Sequence, residues 1–318
     1  MTMKLAFFKP LSKADVDRIA ASAGVCTHLT IVTSPSLACK WGAEPREEEK
    51  EEEEEEDRED RVALQRVVHL LAEMRALTHL TLCAHISAPH DQIALAHALA
   101  RMPLLRHLGL NGMECGAAAS AAFGDFIRSA ALETLDIGIW FMSPGRGCGA
   151  RAAQLLAAIA AARPHTIRRL SFEYHVPRQC DARVVDALCD LLDENTALQE
   201  LWIMGCFGGK DSERLFIALS DNHTLTATNL IAHMVLFPRG ACADFGTLMR
   251  DSSTLTLIHL AFLPLTGSGW NTDLIFKCIE HSSSLQTLVA WPTNTPIPSS
   301  TQHILDLNAT RTNDFILK

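Results

Sequence analysis

The side chains that could carry chemistry in this chain are ten cysteines, fourteen histidines and one glycine-rich segment. No cysteine pair has the Cys-x-x-Cys spacing, and no Cys/His group has the ligand spacing of a zinc site. The segment Gly205–Asp211 is a poor phosphate-binding loop, because Asp211 follows Lys210 where Ser or Thr is needed. Nucleophile-elbow, His-Glu-x-x-His and Gly-x-Gly-x-x-Gly motifs do not occur. We therefore predict a protein that is not an enzyme, with no catalytic residues, no metal and no cofactor.

A different chemistry, protein recognition, is indicated by aromatic residues, methionine and arginine within short apolar segments. These residue types are enriched in the hot spots of protein interfaces. The candidate anchors of a docking patch are Trp202, Met204, Ile231, Leu257, Phe262 and Trp291. Three arginines, Arg106, Arg168 and Arg169, are the candidates for a basic strip beside that patch. These residues form one surface only if the elements that carry them lie side by side.

A repeated strand pattern supplies such elements. Residues at the first, fourth and sixth positions are predominantly apolar, and successive copies start 27 to 35 residues apart. The eight clear copies begin at Leu77, Leu105, Leu132, Ile167, Leu198, Leu225, Leu255 and Leu285. Weaker copies begin at Cys26 and Thr2. About ten units predict one repeat domain that covers residues 1–318.

A helix pattern precedes each strand pattern. The residues six and ten positions before the eight starts are all apolar, whereas a composition of 48% apolar residues would give about half. A separation of four residues lies on one face of a helix. The residues at these positions are Leu71, Leu99, Phe126, Ala161, Leu192, Leu219, Met249 and Ile279, with Val67, Leu95, Ala122, Ala157, Leu188, Leu215, Phe245 and Ile275. Each unit is therefore predicted to be an amphipathic helix followed by a short strand.

The segment Leu198–Cys206 resembles a leucine-rich repeat, with Cys206 at the position that this family fills with Asn or Cys. The period and the helix resemble the ribonuclease-inhibitor-like subclass, whose repeats also form the sensor domains of NOD-like receptors. The resemblance covers most of the chain. It implies an α/β horseshoe-shaped solenoid, with short parallel strands on the concave face and helices on the convex face. The other seven clear copies lack Asn or Cys at the ninth position, which is a departure from the family.

In such a solenoid the strand residues that do not enter the core line the concave face. These residues are mostly polar in the first four clear copies, where Arg106, Arg168 and Arg169 occur. They are mostly apolar in the last four copies, which contain the six candidate anchors. We expect an apolar protein-docking patch beside a basic strip. The alternative is that a covering loop or an error in register buries these side chains.

Nearly all of the net charge of the chain lies in one acidic run. Glu44–Asp60 contains thirteen acidic and three basic residues, a net charge of −10, whereas the whole chain has −9. Like-charge blocks of this kind stay disordered. We therefore predict a disordered acidic insertion at about residues 42–61, which is either a solvated loop or an arm that engages a basic partner. A remainder near neutrality disfavours nucleic acid as a partner.

The cysteines and the absence of targeting signals indicate the compartment. Scattered cysteines among apolar residues are typical of a reducing environment. The first residues contain no apolar stretch long enough for a signal peptide, and no segment is long enough to cross a membrane. We expect a cytoplasmic protein that does not engage a membrane. The repeat pattern starts and stops without polar caps, so we expect either a segment of a longer array or an association edge.

The preferred function is an intracellular protein-binding scaffold, which could be the recognition part of a larger receptor or of a ubiquitin-ligase adaptor. A second class is a regulator of a small GTPase, since GTPase activators of the Ran type also resemble this fold and carry a long acidic segment. A third class is a secreted or surface recognition protein, which predicts glycans on Asn222 and Asn308.

Overall fold

The structure is a computed structural model that describes residues 3–7, 11–32, 62, 65–86, 88–113, 115–140, 148–162, 166–175, 182–205, 209–232, 239–262, 272–291 and 299–306. The predicted acidic insertion at residues 42–61 lies outside these ranges, as does Asn308. Among the described residues, no helix has the length and apolar character needed to cross a membrane.

Strands and helices alternate along the chain. The strands are β1 (Met3–Phe7), β2 (Cys26–Val32), β3 (His79–Ile86), β4 (His107–Met113), β5 (Thr134–Trp140), β6 (Arg169–His175), β7 (Glu200–Gly205), β8 (Ala227–Ala232), β9 (Leu257–Phe262) and β10 (Thr287–Trp291). The helices are α1 (Lys13–Ser22), α2 (65–71), α3 (Pro89–Leu99), α4 (Ala117–Ser129), α5 (Cys148–Ala161), α6 (Ala182–Glu194), α7 (Gly209–Asp221), α8 (Arg239–Asp251), α9 (Thr272–Ile279) and α10 (299–306).

The ten strands form one parallel sheet in the order of the sequence, from β1 to β10. Each strand pairs with the next in a register that matches equivalent repeat positions. Each helix from α3 to α8 packs against the following helix, so that helices and strands form two layers. The predicted α/β repeat solenoid is therefore confirmed.

A bifurcated backbone contact links the second position of one clear repeat to the next clear repeat. The carbonyl oxygen of Thr78 accepts hydrogen bonds from the N–H groups of Arg106, at 2.9 Å, and His107, at 3.0 Å. The same pair of bonds is made to the carbonyl oxygens of Arg106, Glu133, Arg168, Gln199, Thr226 and Thr256. This contact fixes the register of each strand one residue before the strand begins.

The first position of each clear copy is a fully buried core residue, and all eight are at most 2% exposed. The fourth position is also buried, but the copy that begins at Leu225 departs from the apolar pattern because it has Thr228 there. The Thr228 hydroxyl donates to the carbonyl oxygen of Leu201 at 3.2 Å, across the β7–β8 pair. A buried hydroxyl is tolerated at this position because a backbone acceptor satisfies it.

The predicted helix face is wrong for α5. Ala157 and Ala161 are exposed, whereas Leu156 and Ala160, one residue earlier, are buried. Among the eight clear copies the repeat before Ile167 is the longest, with 35 residues between starts, so the extra residues shift the phase of the helix relative to the strand. Ala122 in α4 is partly buried, and the side chain of Ile275 lies outside the described residues. The other predicted face residues are buried.

A polar ladder occurs between the helices and the strands, three residues before the first repeat position. Oδ1 of Asn195 accepts from the N–H of Leu198 at 2.9 Å, and Oδ1 of Asn222 accepts from the N–H of Leu225 at 2.9 Å. Ser252 and Ser282 supply the corresponding hydroxyl oxygens in the next two repeats. Helix-to-strand turns in the second half of the sheet are therefore stabilised by side-chain acceptors.

Asn222 makes an additional bond between repeats. Its Nδ2 donates to the carbonyl oxygen of Leu192 at 2.9 Å, and the residue is 7% exposed. A glycan would be attached to this same nitrogen, which belongs to a side chain that is buried in the folded turn.

Candidate binding surface on the open sheet face

The open face of the sheet, opposite the helices, carries two rows of side chains. Row three comprises the third residues of the repeats, which are Lys4, His28, His79, His107, Thr134, Arg169, Glu200, Ala227, Leu257 and Thr287. Row five begins two residues later in each strand and includes Thr81, Gly109, Asp136, Ser171 and Trp202. Equivalent residues lie side by side because the strands are parallel and in register. The open face is therefore a continuous surface, and the residue types in each row determine which chemical groups it can bind.

Three histidines form a stack at one end of row three. The ring centres of His28 and His79 are 3.9 Å apart with an interplanar angle of 12°, and those of His79 and His107 are 4.0 Å apart at 15°. We call these residues the histidine stack. All three are half-buried. The near-parallel arrangement arises because consecutive strands place the same residue type at the same register position.

Threonine hydroxyls fix the Nδ1 edge of the stack. Nδ1 of His79 lies 2.8 Å from Oγ1 of Thr78, and that hydroxyl donates its own proton to the carbonyl oxygen of Thr27 at 3.0 Å. Because the hydroxyl has one proton, it must accept from His79, whose Nδ1 therefore carries the hydrogen. Nε2 of neutral His79 is then the ring's basic nitrogen.

The environment of His28 and His79 favours neutral imidazoles. Burial, which is the largest cause, and the positive charges that His107, His28 and Lys4 would carry together lower the pKa of His79 to about 4. Burial also lowers the pKa of His28, with Lys4 and His107 as additional causes. At neutral pH the rings of His28 and His79 are therefore uncharged.

Alternating charges occupy the middle of the open face. Nε of Arg106 lies 3.7 Å from Oε1 of Glu133, and Nη1 of Arg169 lies 3.8 Å from Oε2 of Glu200. Arg168 is exposed. Two of the three arginines in the predicted basic strip thus have carboxylate neighbours, and this part of the face is mixed in charge.

Asp136 lies in row five on β5, next to Ser171 of β6. Burial raises the pKa of Asp136, Arg169 opposes that change, and Glu173 reinforces it. Within the described part of the chain, buried Oδ1 of Asp136 and buried Nε of Arg169 have no hydrogen-bond partner. The centre of the open face therefore contains polar atoms whose bonding capacity is not used by the fold.

Trp202 marks the change from the polar to the apolar part of the face. Its ring lies under the guanidinium of Arg169, whose Cζ is 4.6 Å from the ring centre. Trp202 is half-buried, and so is Leu257, two strands further along. The predicted anchors Trp202 and Leu257 are therefore both partly accessible on the same sheet face.

The backbone positions of the other predicted anchors are known, but their side chains lie outside the described residues. Met204 and Ile231 are register neighbours on β7 and β8, and Trp291 pairs with Ala261 on β10 and β9. Phe262 pairs with Ala232, one position further along its strand. The docking patch as a whole remains a prediction.

The histidine stack is not among the site residues predicted from the sequence. The signal was the string Thr-His-Leu-Thr, which occurs at residues 27–30 and again at 78–81, followed by Arg-His-Leu-Gly at 106–109. Aligning these strings by repeat position places all three imidazoles in one row. Among the described residues, no group of three or more His, Cys, Asp or Glu side chains has an arrangement that could hold a metal ion.

Comparisons with known proteins support the fold and leave the family unassigned. No protein-family model and no curated protein matches the chain. A crystal structure of a Bacteroides fragilis protein, determined by a structural genomics consortium, matches with a TM-score of 0.54 and 13% sequence identity. The match covers 93% of this chain and 77% of that protein. At this level of identity the similarity concerns the fold alone.

Proposed function

We propose that this chain is a non-enzymatic protein-binding scaffold of the leucine-rich repeat type, close to the ribonuclease-inhibitor-like subclass, which binds a protein partner on its concave sheet face in the cytoplasm. The single observation that carries the proposal is the half-buried Trp202 ring on that face, backed by Arg169 at 4.6 Å. Tryptophan and arginine are the residues most often found in interface hot spots. Their fixed mutual geometry suits a preformed anchor.

The surroundings of Trp202 support this role. Leu257 provides apolar surface in row three, while Arg106, Arg168 and Arg169 alternate with Glu133 and Glu200 on the polar side. An interface with an apolar centre and a mixed polar rim is the usual design of a specific protein contact. The apolar anchors would supply most of the affinity, and the charged pairs would define orientation.

The experiment compares a double variant with a matched control. Trp202→Ala combined with Leu257→Ala removes both described anchors, whereas Ile217→Ala removes an apolar side chain, 47% exposed, on helix α7. Proteins captured by the wild type are identified by mass spectrometry, and the affinity of each purified candidate is then measured. We expect the double variant to lose affinity by about thirtyfold or more, since a hot spot is worth about 2 kcal/mol or more.

The control must behave differently. Ile217→Ala should retain wild-type affinity because α7 lies on the opposite side of the sheet. Retained affinity in a folded double variant, or an equal loss in both proteins, would exclude the open face as the docking surface. Circular dichroism of each variant establishes that the fold is intact.

A further inference from the structure

We propose that the histidine stack binds acidic partner segments in a reaction that takes up protons, so that the open face gains affinity for carboxylate-rich chains as the pH falls. The inference rests on the proposed function of this face and adds the chemistry and the pH regulation of the partner contact.

The geometry brings three titratable rings into one contact. His28, His79 and His107 are held at ring separations of 3.9 and 4.0 Å, and together span about 8 Å across the sheet. The Nδ1 atoms are occupied by threonine hydroxyls at 2.8 to 3.0 Å. For His79 the proton is taken up at Nε2, since Nδ1 already carries a hydrogen. Protonation of His79 therefore creates a new donor, N–H at Nε2, that has no partner among the described residues.

The charged groups around the stack oppose protonation of the free protein. Lys4 of β1 lies beside His28 in row three, and neighbouring imidazolium ions would repel each other across a ring contact. On the other side, Asp136 of β5 interacts with His107, and Arg106, which directly precedes β4, is near Glu133. The local net charge around His28 and His79 becomes positive when one of these rings takes up a proton. An external carboxylate would offset this charge.

An extended acidic peptide fits the dimensions of the stack. Residues i and i+2 of a strand lie about 6.6 to 6.8 Å apart and face the same side. This separation is comparable to the span from His28 to His107, so two carboxylates on alternate residues reach both ends. A partner with alternating acidic residues would therefore supply two counter-charges to three rings.

Proton linkage gives the expected size of the effect. The pKa of His79 is about 4 in the free protein, against an ordinary value of 6.5. If bound carboxylates restore the ordinary value, affinity at pH 5.5 exceeds that at pH 7.5 by about tenfold for each such imidazole. The same linkage requires that binding at pH 5.5 takes up about one proton per imidazole affected.

The test uses a ten-residue aspartate peptide as the probe, because its carboxylates remain ionised at pH 5.5. Calorimetry at pH 5.5 and 7.5, in buffers of different ionisation enthalpy, measures both affinity and proton uptake. His79→Phe keeps an aromatic ring in the stack but cannot take up a proton. His97→Phe, an exposed residue of α3, is the matched control. We expect at least about tenfold tighter binding at pH 5.5 for the wild type and His97→Phe, and a smaller pH dependence for His79→Phe, because residue 79 can then no longer take up a proton.

Several results would overturn the inference. These are the same pH dependence in His79→Phe as in the wild type, no proton uptake, or no tighter binding at pH 5.5. NMR titration of the wild type provides a second measurement if His79→Phe does not fold, because the pKa of His79 should rise when the peptide is added. An unchanged pKa with bound peptide would also exclude the proposal. Trp202→Ala with Leu257→Ala should leave peptide binding unchanged, which separates failure of this inference from failure of the proposed docking function.

Discussion

The guanidinium carbon of Arg169 lies 4.6 Å from the centre of the Trp202 ring, across the β6–β7 pair. The same guanidinium also lies near Glu200, with Nη1 3.8 Å from Oε2. A ring that is restrained before binding loses less conformational freedom when a partner docks. Arg169 therefore positions Trp202 as well as contributing charge.

Arg169→Ala should weaken partner binding more than it weakens the fold. A cation–π contact at a partly exposed site contributes about 0.5 to 1 kcal/mol, and an exposed ion pair contributes less than about 1 kcal/mol. We expect a loss of affinity of about threefold to tenfold, with a change of at most about 1 kcal/mol in the free energy of unfolding. Arg128→Ala, which breaks the exposed pair with Asp125 on α4, is the control and should leave affinity unchanged.

The stability of the protein should fall as the pH is lowered from about 6.5 towards 4. The pKa of His79 is lowered to about 4 in the folded state from 6.5, so the unfolded chain binds more protons in this window. The stabilisation from neutral His79 is complete above pH 6.5 and is lost as the pH falls towards 4. Urea unfolding at pH 7, 5.5 and 4.5 should show a shallower decline for His79→Phe than for the wild type. Equal declines would show that another group controls acid sensitivity.

Asp136→Asn should stabilise the folded protein at neutral pH. Burial raises the pKa of Asp136, and its buried Oδ1 accepts no hydrogen bond within the described part of the chain. Removing the charge relieves a desolvation cost of about 1 kcal/mol. The benefit should shrink as the pH falls, because the wild-type carboxyl becomes neutral first in the folded state. Chemical unfolding at pH 7 and 4.5 tests this, with exposed Asp125→Asn as the control. Destabilisation by Asp136→Asn would mean that the carboxylate has a stabilising partner.

Asn222→Ala should cost about 2 kcal/mol or more of stability. The change removes the acceptor for the N–H groups of Thr224 and Leu225 and the donor to the carbonyl oxygen of Leu192. Asn222→Ser is the matched variant, since the next repeats use Ser252 and Ser282 at this position. It keeps an acceptor but loses the bond to Leu192, so thermal unfolding should place it between the wild type and Asn222→Ala. Equal stability of the two variants would mean that the bond between repeats contributes nothing.

Much of the fold could be predicted from the sequence because the repeats bury apolar residues at equivalent positions. The first repeat position is apolar in every clear copy, and its burial could be predicted from the spacing of the repeats alone. The helix phase in α5 could not be predicted, since it depends on how the longer link before Ile167 is absorbed. The burial of Thr228 could not be predicted from the apolar pattern either, because it requires a backbone acceptor on the neighbouring strand.

The binding surface was predictable in its location but less so in its chemistry. Repeat positions place Trp202 and Leu257 on one face, as expected. The carboxylates of Glu133 and Glu200 offset the positive charge of Arg106 and Arg169. These residues are neighbours because of the strand register and not because they are close in sequence. The histidine stack likewise requires comparison across repeats, since its members are separated by 51 and 28 residues.

The backbone contact between the second positions of neighbouring repeats makes repeat length and surface composition independent of each other. The N–H of Thr78 donates to the carbonyl oxygen of Thr27 at 2.9 Å although 51 residues separate their positions, and His28 and His79 remain stacked. Insertions and deletions between these contacts therefore need not displace any side chain on the open face. Evolution can lengthen a connection, add a charged segment or trim a helix while the recognition rows keep their spacing, so partner specificity and loop content can diverge separately in proteins built this way.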